Sequence, residues 1–286
     1  MELIEAKISS TPSLIMPWDE IRIAPICDIQ DGAPGADIPM FKRHISWCLS
    51  NDMHYTFLGD LFDVASPTGR QKFRNADFYD SILKAMDKDA RERIDNMKRI
   101  LEPTCGKWLV WSEGHHYWRF MHEDSPEVGR TTEDIMAEFL GCPVAAGAAI
   151  TQLKFKTATG KRAVTCEIWQ HHGVGSGATM AAPLNKLERM MSRFPTVDIF
   201  LIGHYTRKAA YPVDVLIPRF GKKPELTSKR RILAVCGSFY KGYEVGKAPS
   251  YVEKSMMPPT NMGGLIISIR PVHTMTEDRL DMTVSL

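Results

Sequence analysis

Nine histidines occur in the chain, and four of them stand as two adjacent pairs, His115-His116 and His171-His172, each just after an apolar run. His204 follows a third such run, Val197 to Ile202, and sits beside Gly203. Two aspartates, Asp28 and Asp60, end runs of their own, Ile21 to Cys27 and Tyr55 to Leu58. Imidazole and carboxylate are the side chains that hold first-row divalent metals, so five run ends offer metal-type ligands. Taken alone, His115-His116 reads equally well as a surface pair. Repetition of the pattern at the other run ends turns the reading toward one shared centre.

Elements must exist to deliver those groups to one place. In Lys107 to Arg119 (KWLVWSEGHHYWR), the first half is a short aromatic and branched run bounded upstream by Pro103 and Gly106, which predicts a buried strand. Gly114 is expected to let the backbone turn sharply where that strand ends. Strands are predicted over Ile21 to Cys27 and Tyr55 to Leu58, with a helix between them marked by Ile38, Phe41, Ile45, Cys48 and Leu49. Ala90, Ile94, Met97 and Leu101 mark a second helix, and Thr132 to Leu140 a third, capped by Thr131 or Thr132. Strand, helix, strand in alternation is the pattern of an α/β sheet whose ligands gather at the strands' carboxyl ends.

After Ala149 the chain reads mostly as strands: Ile150 to Lys156, Ala163 to Gln170, Asp198 to Ile202, Ala210 to Ile217, Arg231 to Val235 and Gly264 to Ile269, with one helix over Asn185 to Phe194. Residues 1 to 20, broken by Pro12 and Pro17, read as an edge segment. No Pro/Gly/Ser-rich linker divides the halves, so residues 1–286 are expected to form a single domain with two packed sheets.

A formal net charge of +2 argues against wholesale electrostatic binding to nucleic acid. A local basic segment remains at 219–231, with Arg219, Lys222, Lys223, Lys229, Arg230 and Arg231 opposed only by Glu225. Its plain reading is a solvated hairpin tip; on the same side as the histidines it would track a phosphate backbone. No apolar run is long enough to cross a membrane, and Glu2 and Glu5 stand where a secretory signal wants positive charge, so a cytoplasmic protein is expected. The six cysteines show no C-x-x-C spacing and are expected as buried free thiols.

In chain order, Asp28-x-Gln30, Gly59-Asp60-x-x-Asp63, Gly114-His115-His116, His172-Gly173 and Gly203-His204-Tyr205-Thr206 resemble the five motifs of the calcineurin-like metallophosphoesterases. That family's patterns are D-x-H, G-D-x-x-D, G-N-H-D/E, a histidine site such as H-G, and G-H-x-H. The stretch from Cys236 through Gly264 is also similar to the C-terminal part of bacterial and phage-encoded members. The resemblance implies a four-layer α/β/β/α sandwich of two mixed sheets flanked by helices. It also implies a phosphoester hydrolase using one or two divalent metals, manganese foremost, with Mg, Fe, Zn, Co or Ni also acceptable.

By the same resemblance Asp60 bridges two metals, one held by Asp60, His115, His172 and His204. The other falls to Asp28, Gln30, Asp60 and Thr206, where Gln30 and Thr206 replace family histidines and should weaken the site and bias it toward Mg or Mn. His115 stands where the family has asparagine. His116 maps onto the catalytic histidine, a general acid oriented by Asp63, and Arg119 would stabilise the phosphoryl oxygens. His171 is expected behind the ligands rather than among them. Phosphodiesterase or DNA/RNA nuclease is the preferred activity and a phosphomonoesterase, acting on proteins or small molecules, the alternative. The two lost histidines also motivate a catalytically degenerate binding scaffold.

Overall fold

A computed structural model describes residues 11–64, 79–175, 177, 179–220, 224–246, 249–275 and 277–286. The elements in order begin with β1 (Ser13–Pro17), β2 (Ile21–Ile26), α1 (Ile38–Ser50), β3 (His54–Phe57), α2 (Asp80–Leu101), β4 (Trp108–Ser112), α3 (Thr132–Leu140) and β5 (Val144–Ala145). They continue with β6 (Ala149–Lys156), β7 (Ala163–His171), α4 (Ala181–Arg193), β8 (Ile199–Ile202), β9 (Lys208–Arg219), β10 (Glu225–Cys236), the short α5 (Tyr251–Lys254), β11 (Ile266–His273) and β12 (Asp278–Ser285).

Two mixed sheets of six strands result, ordered β1-β6-β7-β8-β10-β9 and β12-β11-β2-β3-β4-β5. Three core clusters give the layers. Ile23, Leu58, Leu109 and Ile267 of the second sheet share one cluster with Leu153, Ile168, Leu201 and Ile232 of the first, so the sheets pack face to face. The other face of the second sheet, with Tyr55, Phe57 and Trp111, is covered by Phe41 and Ile45 of α1, Ile94 and Met97 of α2 and Met136 of α3. The other face of the first sheet packs Trp169 and Phe200 on Leu187 of α4. These are the four layers α/β/β/α, and the alternation along β7 explains them: Ile168 points to the shared core and Trp169 to α4.

Strand direction decides where the loops gather. β2, β3 and β4 run parallel in one sheet, and β7, β8 and β10 run parallel in the other. Gly203 packs so closely on the end of β2 that an added Cβ would lie 3.1 Å from Cys27 Cβ. The two parallel triplets therefore end at one shared edge. Between them lies a buried polar tie: Gln170 Nε2 donates to Phe57 O and Ser112 Oγ, both at 2.8 Å, while its Oε1 accepts from the Thr56 hydroxyl. An amide buried at 0% exposure is tolerated because its partners are all supplied, and they lock the end of β7 onto β3 and β4.

Several sequence expectations shift. The segment before Pro17 supplies β1, an edge strand parallel to β6. β9 and β10 are longer than their apolar runs suggest, a hairpin paired from Lys208↔Cys236 out to Arg219↔Glu225, most of it beyond the span shared with β8. The polar outer residues hid it, as they did the alternating edge strand β12. Four of the six free cysteines are buried, but Cys105 is exposed and Cys142 half-buried. Thr131 is the cap of α3, in a reciprocal box with Asp134. No described helix is long and apolar enough to cross a membrane.

Candidate metal centre

Asp28, Asp60, His115 with His116, His172 and His204 follow β2, β3, β4, β7 and β8 respectively. One carboxylate or imidazole atom from each of Asp60, His115, His172 and His204 lies within 4.8 Å of the others. The ring centroids of His115 stand 4.7 Å from His172 and 4.9 Å from His204.

Backbone geometry forces these groups together. Among the described residues, the non-glycine positions with left-handed φ include Asp28 (51°), Gln30 (51°), Asp60 (63°), His204 (68°) and Thr206 (51°). Aspartate and histidine tolerate that region better than most residues, while glutamine and especially branched threonine are strained in it. Strain of this kind costs about 1–3 kcal/mol per residue and persists where surrounding structure enforces it. Here Asp28 N donates to Gly59 O at 3.1 Å and Gln30 N to Asp60 O at 3.0 Å, so the two loops hold each other. Gly114 also differs from expectation. It is absent from the left-handed glycines, and its need is space, since a Cβ there would stand 2.1 Å from Asp60 Oδ1.

Asp60 Oδ1 accepts from His115 N at 2.6 Å and His116 N at 2.9 Å, which turns Oδ2 toward the imidazoles. His172 Nδ1 lies 2.6 Å from Leu58 O. A carbonyl only accepts, so Nδ1 carries the proton and Nε2 faces Asp60 Oδ2 at 3.2 Å. By the same logic His204 Nε2 donates to Gly175 O at 2.9 Å and leaves Nδ1 for the cluster. Lys186 fixes that carbonyl's loop, its Nζ donating to Val174 O and meeting Tyr205 Oη, both at 2.5 Å. Neither Lys186 nor Gln170 carries a motif, and both supports became visible only in three dimensions.

The electrostatics follow from burial and proximity. Burial opposes the charge on Asp60, but the imidazoles of His172 and His116 outweigh it and hold the carboxyl well below the usual range. Burial likewise opposes charge on His172, yet Asp60 pushes its pKa up to about 9. Burial, reinforced by His172 and His115, lowers His204 to about 4. Burial raises Asp28 to about 6 against the pull of His172.

Asp28 Oδ1 is buried without a hydrogen-bond partner, and buried Asp60 Oδ2 and His172 Nε2 have only their 3.2 Å ion-pair contact with each other and the 3.6 Å approach of His116 Nε2 to Oδ2. Orphaned buried polar atoms are expensive unless a cation completes them, so the residues present fit a divalent ion. Three imidazoles and a carboxylate suit Mn, Fe, Co, Ni or Zn. Asp28 is also held by His204 N, which donates to its Oδ2 at 2.9 Å. Gln30 and Thr206 line the same cavity as Asp28.

No family model matches the chain. No curated protein matches it either. Solved structures give slight likenesses. A conserved uncharacterized protein from Streptococcus pneumoniae, described as a predicted phosphoesterase, has a TM-score of 0.34 at 10% identity over 92% of this chain and 98% of that one. Vacuolar Protein Sorting 29 from Cryptosporidium parvum gives 0.35 at 11% identity over 93% and 98%. GAP50, the anchor in the inner membrane complex of Plasmodium, gives 0.37 at 7% identity over 88% and 82%.

His116 lies beside the four-residue cluster, with Nε2 3.6 Å from Asp60 Oδ2 and Nδ1 3.4 Å from Asp63 Oδ1. Arg119 is placed elsewhere: its exposed guanidinium donates to Gly129 O at 2.5 Å, and it does not line the cavity. Its backbone bridges Thr131, which turns the side chain along the 119–131 loop. His171 stacks on Trp169 with centroids 6.0 Å apart, accepts from Gly173 N and does not line the cavity. Trp118 is buried and donates to Asp87 Oδ1 at 2.7 Å, a packing role.

The basic segment starts far from this centre. β10 reaches the site at its carboxyl end, so Glu225 at its other end stands roughly 35 Å from Cys236 at about 3.3 Å per residue. Lys229 pairs with Asp198, Arg230 with Asp214, and Arg231 donates to Pro195 O. Lys222 and Lys223 lie outside the described residues.

Proposed function

We propose that the chain is a metal-dependent phosphoester hydrolase, as its resemblance to the metallophosphoesterases implies, and that its substrates are phosphodiesters. The observation that carries this is the gathering of Asp60, His115, His172 and His204, one ligand-type atom from each within 4.8 Å of the others, with Asp60 Oδ2 and His172 Nε2 buried and making no hydrogen bond to the rest of the chain. A divalent ion held by Asp60, His115, His172 and His204 would screen the anionic phosphate and lower the pKa of a water toward about 7.

The chain's own groups supply the rest. Asp60 keeps its negative charge because the imidazoles hold its pKa down. Leu58 O and Gly175 O fix which nitrogen of His172 and of His204 faces the centre. His116, set between Asp60 and Asp63, is the group placed to give a proton to the departing alkoxide oxygen. The Asp63 carboxylate faces that ring on its other side, 3.4 Å from Nδ1. Asp28 with neutral Gln30 and Thr206 makes a second, weaker ligand set, which takes Mg or Mn in preference to softer ions. A cavity of about 1380 Å³ has room for a phosphate with two substituents, which supports a diester.

Nucleic acid is one such diester, and nuclease activity is a finer version of the same proposal. The degenerate scaffold is the rival reading, motivated by Gln30 and Thr206. The test is hydrolysis of bis(p-nitrophenyl) phosphate and of p-nitrophenyl phosphate by protein freed of metal and reloaded with Mn, Mg or Zn. Turnover of the diester with Mn, lost in His116→Ala, is expected. Equal turnover in the variant, or none with any metal, would favour the scaffold.

A further inference from the structure

The cavity above the cluster is larger than a phosphate requires. At about 1380 Å³ it exceeds the roughly 300–1,000 Å³ of ordinary ligand pockets. One wall holds the histidines and aspartates. A second wall comes from residues within 240–246 and 249–258 and presents Tyr240, Tyr251, Val252, Met256 and Met257.

This second wall is built onto the site. Ser238 Oγ donates to Asp28 O at 3.1 Å, Phe239 N to the same oxygen at 3.0 Å, and Asn261 N to Thr206 O at 2.8 Å. Both ends of the segment are thus tied to residues of the weaker ligand set. Inside it, Tyr243 Oη donates to Met257 O at 2.7 Å, and Ser250 caps the short helix by accepting from Glu253 N. Val252 is buried at 4%, whereas Tyr251 is 47% exposed and Met256 90%. Burial of Val252 anchors the wall while its neighbours stay open. Lys241, which also lines the cavity, is 3.0 Å from the Asp37 carboxylate, so its charge is offset at the wall.

Tyrosine faces and methionine thioethers share one preferred partner, a flat aromatic ring. We propose that the wall formed by Tyr240, Tyr251, Val252, Met256 and Met257 is a subsite for an aromatic group esterified to the phosphate held at the cluster, with Tyr251 and Met256 contacting the ring. This rests on the phosphoester reading above. It makes the preferred substrate a diester carrying an aromatic or nucleoside substituent on the ester that is not cleaved.

The experiment keeps the leaving group constant. Methyl, hexyl, phenyl and thymidine-5′ p-nitrophenyl phosphates are compared by kcat/KM on the Mn-loaded full chain. The phenyl and thymidyl esters should exceed the methyl ester by about tenfold or more, the return of one stacked ring, with hexyl within about threefold of methyl. In Tyr251→Ala/Met256→Ser the phenyl-to-methyl ratio should fall to within about threefold of one, and Tyr251→Phe should keep it. Both altered side chains are well exposed, so folding is checked simply by matching circular dichroism. Methyl-ester turnover with no gain for either ring overturns the subsite and leaves the phosphoester reading standing. A hexyl gain equal to phenyl's overturns the claim for a ring. Absence of turnover for every ester with every metal removes both.

Discussion

Replacing Asp60 by asparagine separates two roles of one carboxylate, because they push metal affinity in opposite directions. In the metal-free protein Asp60 raises His172 to about 9, so at pH 7 a proton on Nε2 competes with any cation. Displacing it costs about two pH units, or about 3 kcal/mol, and weakens binding at pH 7 about a hundredfold. In Asp60→Asn the largest raising charge is gone while burial and the weaker pull of Asp28 and Leu58 O remain, so the His172 pKa should fall well below 9 and that competition should weaken. If Asp60 were only a neighbour of the site, the variant would therefore bind Mn up to about a hundredfold more tightly at pH 7. If its unpartnered Oδ2 is a ligand, binding should weaken by about a hundredfold or more despite that gain. Calorimetric titration with Mn gives the sign, and an imidazole NMR titration of His172 gives the pKa. Wild-type affinity should also rise about tenfold per pH unit between 7 and 9 and then level. An asparagine variant that binds Mn as well as the parent would refute the assignment, and a His172 still titrating near 9 would refute its electrostatic origin.

Two further substitutions probe the supports. Gly114→Ala puts a methyl 2.1 Å from Asp60 Oδ1, which must break the amide bonds from His115 and His116, worth about 1.5–3 kcal/mol each to a charged acceptor. Loss of several kcal/mol in urea unfolding, or of Mn binding, is expected, and parental behaviour in both would show the contact is not real. Glu133 is fully buried and accepts from Trp111 Nε1, and burial raises its pKa from 4.5 to about 8. A raised carboxyl stabilises the fold in full below pH 4.5, and that contribution is lost as pH climbs through 8, by up to about 3 kcal/mol at pH 7. Glu133→Gln should remove this slope, so urea midpoints of the two proteins should diverge between pH 5 and 8, and parallel curves would refute it.

Much of the architecture could be read from the chain because buried parallel strands leave continuous apolar runs. Ile21 to Cys27, Tyr55 to Leu58 and Trp108 to Trp111 needed no tertiary information. The elements misjudged were those with one face in water. β12, the edge strand beside β11, alternates Leu280, Met282 and Val284 with charged or polar residues, a weaker signal than a run. β9 and β10 extend well past the apolar stretches that reveal them, because their outer halves contact each other and solvent rather than the core. The short β5 is fixed by its pairing to β4, which a two-residue strand cannot announce.

At the site the legible part is residue type and the illegible part is what constrains it. Carboxylates and imidazoles after apolar runs point to Asp60, His115, His172 and His204, which the fold brings within 4.8 Å of one another. Arg119 follows His116 closely in the sequence and is expected to face phosphoryl oxygens, yet its guanidinium serves Gly129 O, since a long side chain's direction is set by local pairing and not by position in a motif. Conversely, Gln30 and Thr206 looked like losses from a ligand pattern, yet they hold left-handed backbone at 51° just as Asp28 does. Glutamine and threonine are poor occupants of that region, so chain segments that keep it there do so because the loops demand it and not because the side chains do. The backbone at Gln30 and Thr206 thus matches that at Asp28 although neither carries an imidazole. If these loops frame the second, weaker ligand set proposed above, Gln30→His with Thr206→His should raise the stoichiometry of tight Mn binding from one to two. A titration that stays at one would mean the preserved backbone no longer points at a metal.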